Sequence, residues 1–334
     1  MQSRRTDISI IYQGKNITVG LKPYLKGFTY TDCASGAADT ISLDIADMYR
    51  KWIDAWFPAK TDSISAAIEV SNWNCEGDNW ALDCGQFTVD GVDFSGPPVS
   101  LRLDAISTPV SESFDCRRNT KTWEKATLQT IAAKIADEEG VALVYDAPAI
   151  SIKVLEQSEE TNMSFLNKLC ADYGLAMKVY SKKIIIFDEE VYEAKPCVGT
   201  ITELDVISWS GKTTLTGIAD SATIKYKDPK SGKDLSYTYK ARNTGGRPTH
   251  KLQESNEKAD SLDDAMKKAK AMVREANKGE TTMSLKMDAH KGLVSTQNIL
   301  VRGFGKFDGK YFIEKAAHSV TGGYTMDLEV RRIE

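Results

Sequence analysis

The end of the chain carries the clearest pattern. Apolar Tyr324, Met326, Leu328 and Val330 alternate with Thr325, Asp327, Glu329 and Arg331. Successive side chains of a strand leave opposite faces, so this run predicts a half-buried β-strand. Tyr311–Val320 predicts its partner, joined through Thr321-Gly322-Gly323, where glycine supplies the positive φ of a tight hairpin. Another turn, Lys306-Phe307-Asp308-Gly309, precedes that strand. Residues 298–332 therefore read as a three-stranded meander with one apolar and one charged face.

The first third repeats this behaviour in shorter runs. Strands are predicted at Asp7–Tyr12, Ile17–Leu21, Phe28–Asp32, Ala38–Ala46, Ala66–Trp73, Leu82–Val89 and Val99–Ile106. Ile41, Leu43 and Ile45 alternate with polar neighbours, as do Leu101, Leu103 and Ala105. With turn residues at short intervals, this is the pattern of an antiparallel sandwich or barrel. Met48–Phe57 predicts a short helix closed by Pro58, with Tyr49, Trp52, Trp56 and Phe57 as an aromatic stripe facing a core or a subunit.

The period changes in the middle. Leu128, Ile131, Ala132 and Ile135 predict a helix over Thr120–Glu139, stopped by Gly140. Phe165, Leu166, Leu169, Cys170 and Tyr173 predict a second over Thr161–Tyr173, with Gly174 placed for its C-terminal cap. Each is followed by two short strands: Val141–Tyr145 with Ile150–Leu155, then Leu175–Tyr180 with Lys183–Phe187, the latter a hairpin around Ser181-Lys182. Beyond residue 200, strands return at Ile201–Trp209, Gly217–Asp228, Leu235–Ala241 and Thr282–Met287. Between them a helix over 262–278 opens on a Ser261/Asp264 capping signature, and its small apolar residues suit close packing on a sheet. The expected fold is mainly β with an α+β insert: a β-barrel or sandwich domain over 1–112, the insert over 113–195, and a second β-domain over 196–334 carrying helix 262–278.

Composition narrows the function. The 334 residues suffice for two or three domains, and 41% hydrophobic with 27% charged residues is the balance of a folded protein. A net charge of −4 argues against a nucleic-acid-binding surface, and no apolar run approaches the ~20 residues of a membrane helix. Neither a membrane nor a specific nucleic acid is an expected partner. The N-terminus has two arginines but an apolar run broken by Asp7 and Ser9, without the core or cleavage site of a signal peptide. Assembly in the cytoplasm is expected. The six cysteines form no Cys-x-x-Cys pair and read as reduced core residues, although Cys75 and Cys84 flank a hairpin turn and would bridge if they faced one another.

Candidate chemistry is sparse. Gly211-Lys212-Thr213-Thr214 resembles the tail of a phosphate loop, but Val206 stands where the motif needs its first glycine, so it reads as a polar hairpin turn. His250, His290 and His318 lie far apart, without Cys or carboxylate at metal-ligand spacing. No Gly-x-Ser-x-Gly elbow is present. Glu189-Glu190 closes a strand, and Asp263-Asp264 opens a helix, where the macrodipole favours negative charge. No catalytic residue, cofactor or metal is expected. The chain reads as a protein that binds other proteins.

Four stretches carry a family resemblance: YTDCASGAADTISLDIAD at 30–47, ETNMSFLNKLCADYGLAMKVYSKKIIIFD at 160–188, the helix from Ser261 to Lys278, and VRGFGKFDGKYFIEKAAHSVTGGYTMDLEVRR at 301–332. In order and spacing the chain resembles the hub proteins of contractile tails: phage late control protein D, the hubs of phage-like bacteriocins (tailocins), and the N-terminal part of VgrG-type injection proteins. The resemblance implies a homotrimeric baseplate hub with two tail-tube-like barrels per subunit, forming a pseudo-sixfold ring. Its implied partners are the hexameric tail tube protein, a threefold spike protein, and LysM-type or wedge baseplate proteins. One-sided antiparallel sheets suit a tube wall. Tyr324, Met326, Leu328 and Val330 are then expected inside the second barrel, under the 261–278 helix, with Thr325, Asp327, Glu329 and Arg331 facing the channel or a neighbouring subunit. The sequence stops at Glu334, directly after the last strand, without the spike of VgrG-type hubs or a fused hydrolase, so both are expected from other chains. A tail-associated cell-wall hydrolase and a glycan-binding module are the alternatives; the first requires a catalytic constellation and the second exposed aromatics on a strand face.

Overall fold

A computed structural model describes residues 3–107, 117–227, 232, 234–241, 251–255, 259 and 261–333. The first part contains β1 (Arg5–Tyr12), β2 (Lys15–Asn16), α1 (Thr18–Leu21), β3 (Leu25–Cys33), β4 (Thr40–Ala46), β5 (Ser63–Ser71), β6 (Trp80–Ser95) and β7 (Ser100–Ile106). The middle contains β8 (Asn119–Thr127), α2 (Leu128–Glu138), β9 (Ala142–Asp146), β10 (Ser151–Glu160), α3 (Asn162–Asp172), β11 (Leu175–Tyr180), β12 (Lys183–Asp188) and α4 (Glu189–Ala194). The last part contains β13 (Cys197–Thr202), β14 (Val206–Thr213), β15 (Ser221–Lys227), β16 (Asp234–Lys240), β17 (Lys251–Ser255), α5 (Leu262–Asn277), β18 (Thr281–Asp288), β19 (Asn298–Arg302), β20 (Gly309–Val320) and β21 (Tyr324–Arg332). The protein is mainly antiparallel β, with an α+β insert.

One sheet of 13 strands runs through both β-rich parts, in the order β14-β18-β21-β20-β3-β4-β7-β6-β5-β1-β2, with β19 on β20 and β13 on β19. Strand β20 makes the join. Its start, Gly309–Phe312, pairs with β19, and its end, Lys315–Val320, pairs with β3. Against β21 the register slips between Ile313 and Lys315. Such a bulge bends a strand and strengthens its twist, which lets β20 pass from one sheet curvature into the other. The freed Glu314 carbonyl accepts from the Ala34 amide at 2.8 Å.

Inward rows of β1 and β3–β7 fill one core, with Phe28, Tyr30, Ile41, Leu43, Ile68, Phe87 and Leu103. Rows of β13 and β18–β21 fill another, with Leu285, Val301, Tyr311, Ile313, Met326, Leu328 and Val330. The insert has its own core beneath α2 and α3. A smaller one joins Ala265, Ala269 and Val273 of α5 to Ala222 and Ile224 of β15.

Several expected elements differ. Residues 48–57 form turns rather than a helix: Arg50 has φ of 55°, and the Asp47 carboxylate accepts the Ile53 amide, so helical hydrogen bonding stops before it starts. Residues 18–21 are helical rather than extended. The predicted helix over 120–139 begins only at Leu128, because residues 119–127 form a strand on β10 and the Thr127 hydroxyl caps the helix. Strands β9 and β10 do not pair with each other; β9 lies parallel to β12 and β10 pairs with β8, so the insert is not two copies of one motif. The Glu189-Glu190 pair opens α4 instead of closing a strand, capped by Asp188. The predicted strand over 201–209 breaks at a 3-10 turn, Glu203–Asp205. Gly211–Thr213 lies within β14, not in a hairpin turn, and Phe307 packs against Gly211. Helix α5 lies on the small sheet β16-β15-β17, not over the final hairpin. Tyr324 packs in the first core beside Trp73 and Trp80, so β21 feeds both cores. Cys75 is exposed and Cys84 buried, both free; Cys116 lies outside the described residues.

The alternation along β21 gives a direct check. Leu328→Ala should cost about 2–5 kcal/mol through the cavity it leaves, whereas Asp327→Ala, one residue away on the open face, should stay within about 0.5 kcal/mol. Urea unfolding of both variants measures the difference; equal costs would contradict the facing of this strand.

Candidate functional site

Side chains pointing away from the two cores form a polar face that the insert meets at one corner, where Ile106 packs on the insert's core and Thr88 is buried. Across β18, β21, β20, β3, β4, β7 and β6, one row runs Asp288, Thr325, Ser319, Thr29, Ser42, Asp104, Gly91. The next runs Lys286, Asp327, Ala317, Thr31, Thr40, Ile106, Thr88. Shorter rows join Ser284, Glu329, Lys315 and Cys33, and Gly27, Asp44, Arg102 and Asp93. These rows hold six carboxylates (Asp44, Asp93, Asp104, Asp288, Asp327, Glu329) and three cations (Arg102, Lys286, Lys315) among short hydroxyl side chains, and Arg4 pairs with Asp288 at 3.2 Å, so the face keeps a small acidic excess. Lys315 pairs with Glu329 at 2.8 Å and Lys286 with Asp327 at 3.6 Å. Exposed pairs of this kind add little stability; they set the charge pattern of the surface.

Three of the residues picked from the sequence lie on this face: Thr325 half-buried, Asp327 and Glu329 exposed. Arg331 stands apart. It is 4% exposed, covered by α4, with Glu193 at 2.6 Å, Glu314 at 2.8 Å and Glu189 at 4.0 Å. Arg274 of α5 also reaches Glu193 and Glu190, each at 3.0 Å, so α4, α5 and β21 share one ion-pair network. Burial raises the Glu314 carboxyl, against the pull of Arg331.

A second polar cluster lies deeper. Lys178 of β11 bonds Asp32, Asp39 at 3.1 Å, Ser295 Oγ at 3.1 Å and the Cys33 carbonyl. Asp32 also accepts from the Ser295 amide and hydroxyl, both at 2.7 Å, and Asp39 from the Cys33 amide at 2.9 Å. Insert, first β-part and the loop before β19 thus meet on one ammonium. One cation faces two buried carboxylates. Burial raises Asp39 to about 6, opposed by Lys178 and reinforced by the charge of Asp32. Lys178 is itself raised: burial works against its charge, but Asp32 and Asp39 outweigh it. His318, stacked on Tyr30 and bonded through Nδ1 to the Tyr324 hydroxyl at 2.9 Å, is lowered to about 4 by burial. The signal for this cluster was present in the sequence as a lysine inside the apolar run Leu-Ala-Met-Lys-Val-Tyr.

The remaining candidates are scattered. His290 is exposed and His250 lies outside the described residues. Among the described residues no three His, Cys, Asp or Glu side chains gather closely enough to hold a metal. Asp263 pairs with Lys267 at 2.8 Å, and Asp264 accepts the Tyr173 hydroxyl at 2.8 Å. Tyr49, Trp52, Trp56 and Phe57, expected as a helical stripe, instead line an apolar cleft of about 660 Å³ with Tyr12, Tyr24 and α1.

This architecture is shared with tail proteins. The 43 kDa tail protein of prophage MuSo2 from Shewanella oneidensis aligns over 98% of both chains with a TM-score of 0.73 at 13% identity. A tail protein from Neisseria meningitidis MC58 aligns over 98% of this chain and 96% of its own with a TM-score of 0.72 at 13% identity. A type VI secretion component of E. coli, itself similar to the T4 bacteriophage tail proteins gp27 and gp5, aligns over 99% of this chain and 77% of its own with a TM-score of 0.59 at 10% identity. No family model and no curated sequence matches. The chain has the fold of these phage tail and type VI secretion proteins.

The Lys178 cluster yields two expectations. Lys178→Met leaves buried carboxylates unpaired and should cost about 3–5 kcal/mol in chemical unfolding; a cost under 1 kcal/mol would show that the cluster is not needed. Asp39, raised in the folded state, adds stability that is full below its unfolded value of 3.8 and lost as pH rises through about 6. His318, depressed, adds stability present above its unfolded value of 6.5 and lost as pH falls toward about 4. The two oppose each other across the same window. His318→Gln should therefore leave a protein whose stability declines more steeply from pH 4 to 6 than the parent's, measured by unfolding at each pH.

Proposed function

We propose that the protein is a structural hub at the centre of a tail baseplate, acting as a homotrimer that adapts a sixfold tail tube to a threefold spike. The carrying observation is the single acidic polar face spanning both β-rich parts. Three copies would place six such units around an axis, and turning this face inward would line a channel that repels acidic cargo and nucleic acid. Thr325, Asp327 and Glu329 would then face the lumen, while Arg331 serves the joint with α4. The reading takes residues 1–112 and 196–334 as the two tube-like domains and 113–195 as the insert between them. Its partners are tail tube protein, spike protein, and LysM-type or wedge proteins of a phage or tailocin baseplate, and its role is structural rather than catalytic.

Sedimentation of the purified protein should give three times the 36.9 kDa chain mass. A monomer at all concentrations, without affinity for tube protein, would sink the reading. Asp327→Lys with Glu329→Lys should leave thermal unfolding near the parent's yet abolish particle assembly or delivery. Normal particles from that variant would remove these residues from the lumen.

A further inference from the structure

The apolar cleft and the most exposed large apolar side chain of the described residues belong to different β-parts and are complementary. Leu204, 97% exposed, sits at the tip of the 3-10 turn between β13 and β14, flanked by exposed Glu203 and Asp205. Both carboxylates are held in place: Glu203 accepts from Trp209 Nε1 at 3.3 Å, and Asp205 from the Thr202 amide at 2.8 Å. The turn is thus held to its own β-part by its polar groups, while the Leu204 side chain is left to solvent. The cleft is its counterpart. Tyr49 and Trp56 line it while remaining 67% and 56% exposed. Its own carboxylates are spent inside, Asp47 on the Ile53 amide and Asp62 on Tyr12 and the Ala59 amide. Exposed Lys15, Arg50, Lys51 and Lys60 lie on the segments forming it, against one exposed carboxylate, Asp54.

Position fits as well. Strands β14 and β3 run the same way through the alternating antiparallel pairings, so the turn before β14 and the cleft at the start of β3 and end of β4 lie at the same end of the sheet. They are four to five strands apart, about 19–24 Å along the sheet. The occupant is therefore a second copy. We propose that Leu204 of one protomer enters the aromatic cleft of the next, with Glu203 and Asp205 meeting its cationic rim. Turn and cleft are different surfaces, so the contact is heterologous and repeats around a ring. This rests on the trimeric reading and names one of its joints; Leu204 is the anchor of a larger contact, since a stable interface covers about 800 Å² per partner.

The test pairs Leu204→Cys with Tyr49→Cys in a chain lacking Cys75 and Cys116. Mild oxidation should give covalent dimers and trimers on denaturing gels, which neither single variant gives. Leu204→Asp, at a fully exposed position, should keep the parent's circular dichroism but associate about thirtyfold more weakly in sedimentation, the loss expected of an interface anchor. Trimers that do not cross-link, or Leu204→Asp trimers of unchanged strength, overturn this contact and leave the trimer standing. A parent chain that is monomeric throughout overturns both.

Discussion

Strand β20 joins the two β-rich parts into one sheet, and the rest of the molecule follows from that. Its first residues hydrogen-bond to β19 and its last six to β3, with β21 alongside throughout. Backbone donors and acceptors buried in a ladder must be satisfied, so this pairing fixes the two β-rich parts in a single register. The polar row from Asp288 to Gly91 exists because strand pairing continues, through its bulges, across seven strands. Two separate barrels joined by a linker would carry similar residues without aligning them.

Once the sheet is continuous, the insert needs its own anchor, and Lys178 supplies it. A lysine buried between two carboxylates is costly unless its hydrogen bonds are complete. Here the ammonium has four partners drawn from β3, the loop after it and the loop before β19. Its geometry resists sliding because loss of any partner leaves a buried charge. The ion pairs of Arg331, Arg274, Glu190 and Glu193 do the same at the other side, tying α4 and α5 to the end of β21. Both joints are electrostatic, while each core is apolar. That division gives specificity of orientation to the charges and most of the stability to the cores.

The surface left over is informative for the same reason. A face with hydroxyls and excess carboxylates has little to hold a partner, whereas the cleft around Trp56 and the turn at Leu204 are what water would least favour leaving open.

Much of this was legible in the sequence, and the reason is period. The alternation of Tyr324 to Val330 forces opposite facing whatever lies around it, so strand, hairpin and the outward placement of Asp327 and Glu329 followed from residue order alone. Helices α2, α3 and α5 were legible because their apolar residues recur every three or four positions, although α2 starts only at Leu128 and α4 was read as the end of a strand. Where local pattern was ambiguous, tertiary contacts decided: Tyr49, Trp52, Trp56 and Phe57 have helical spacing, yet Arg50 and the Asp47 cap turn the chain into a cleft wall. Thr120–Thr127 became a strand because β10 offered it a partner. Arg331 has the sequence position of a surface residue, and only the docking of α4 makes it a buried one. Alternation tells which face a side chain leaves by; what covers that face depends on elements distant in sequence, and so does the charge cluster at Lys178, whose partners lie more than a hundred residues away.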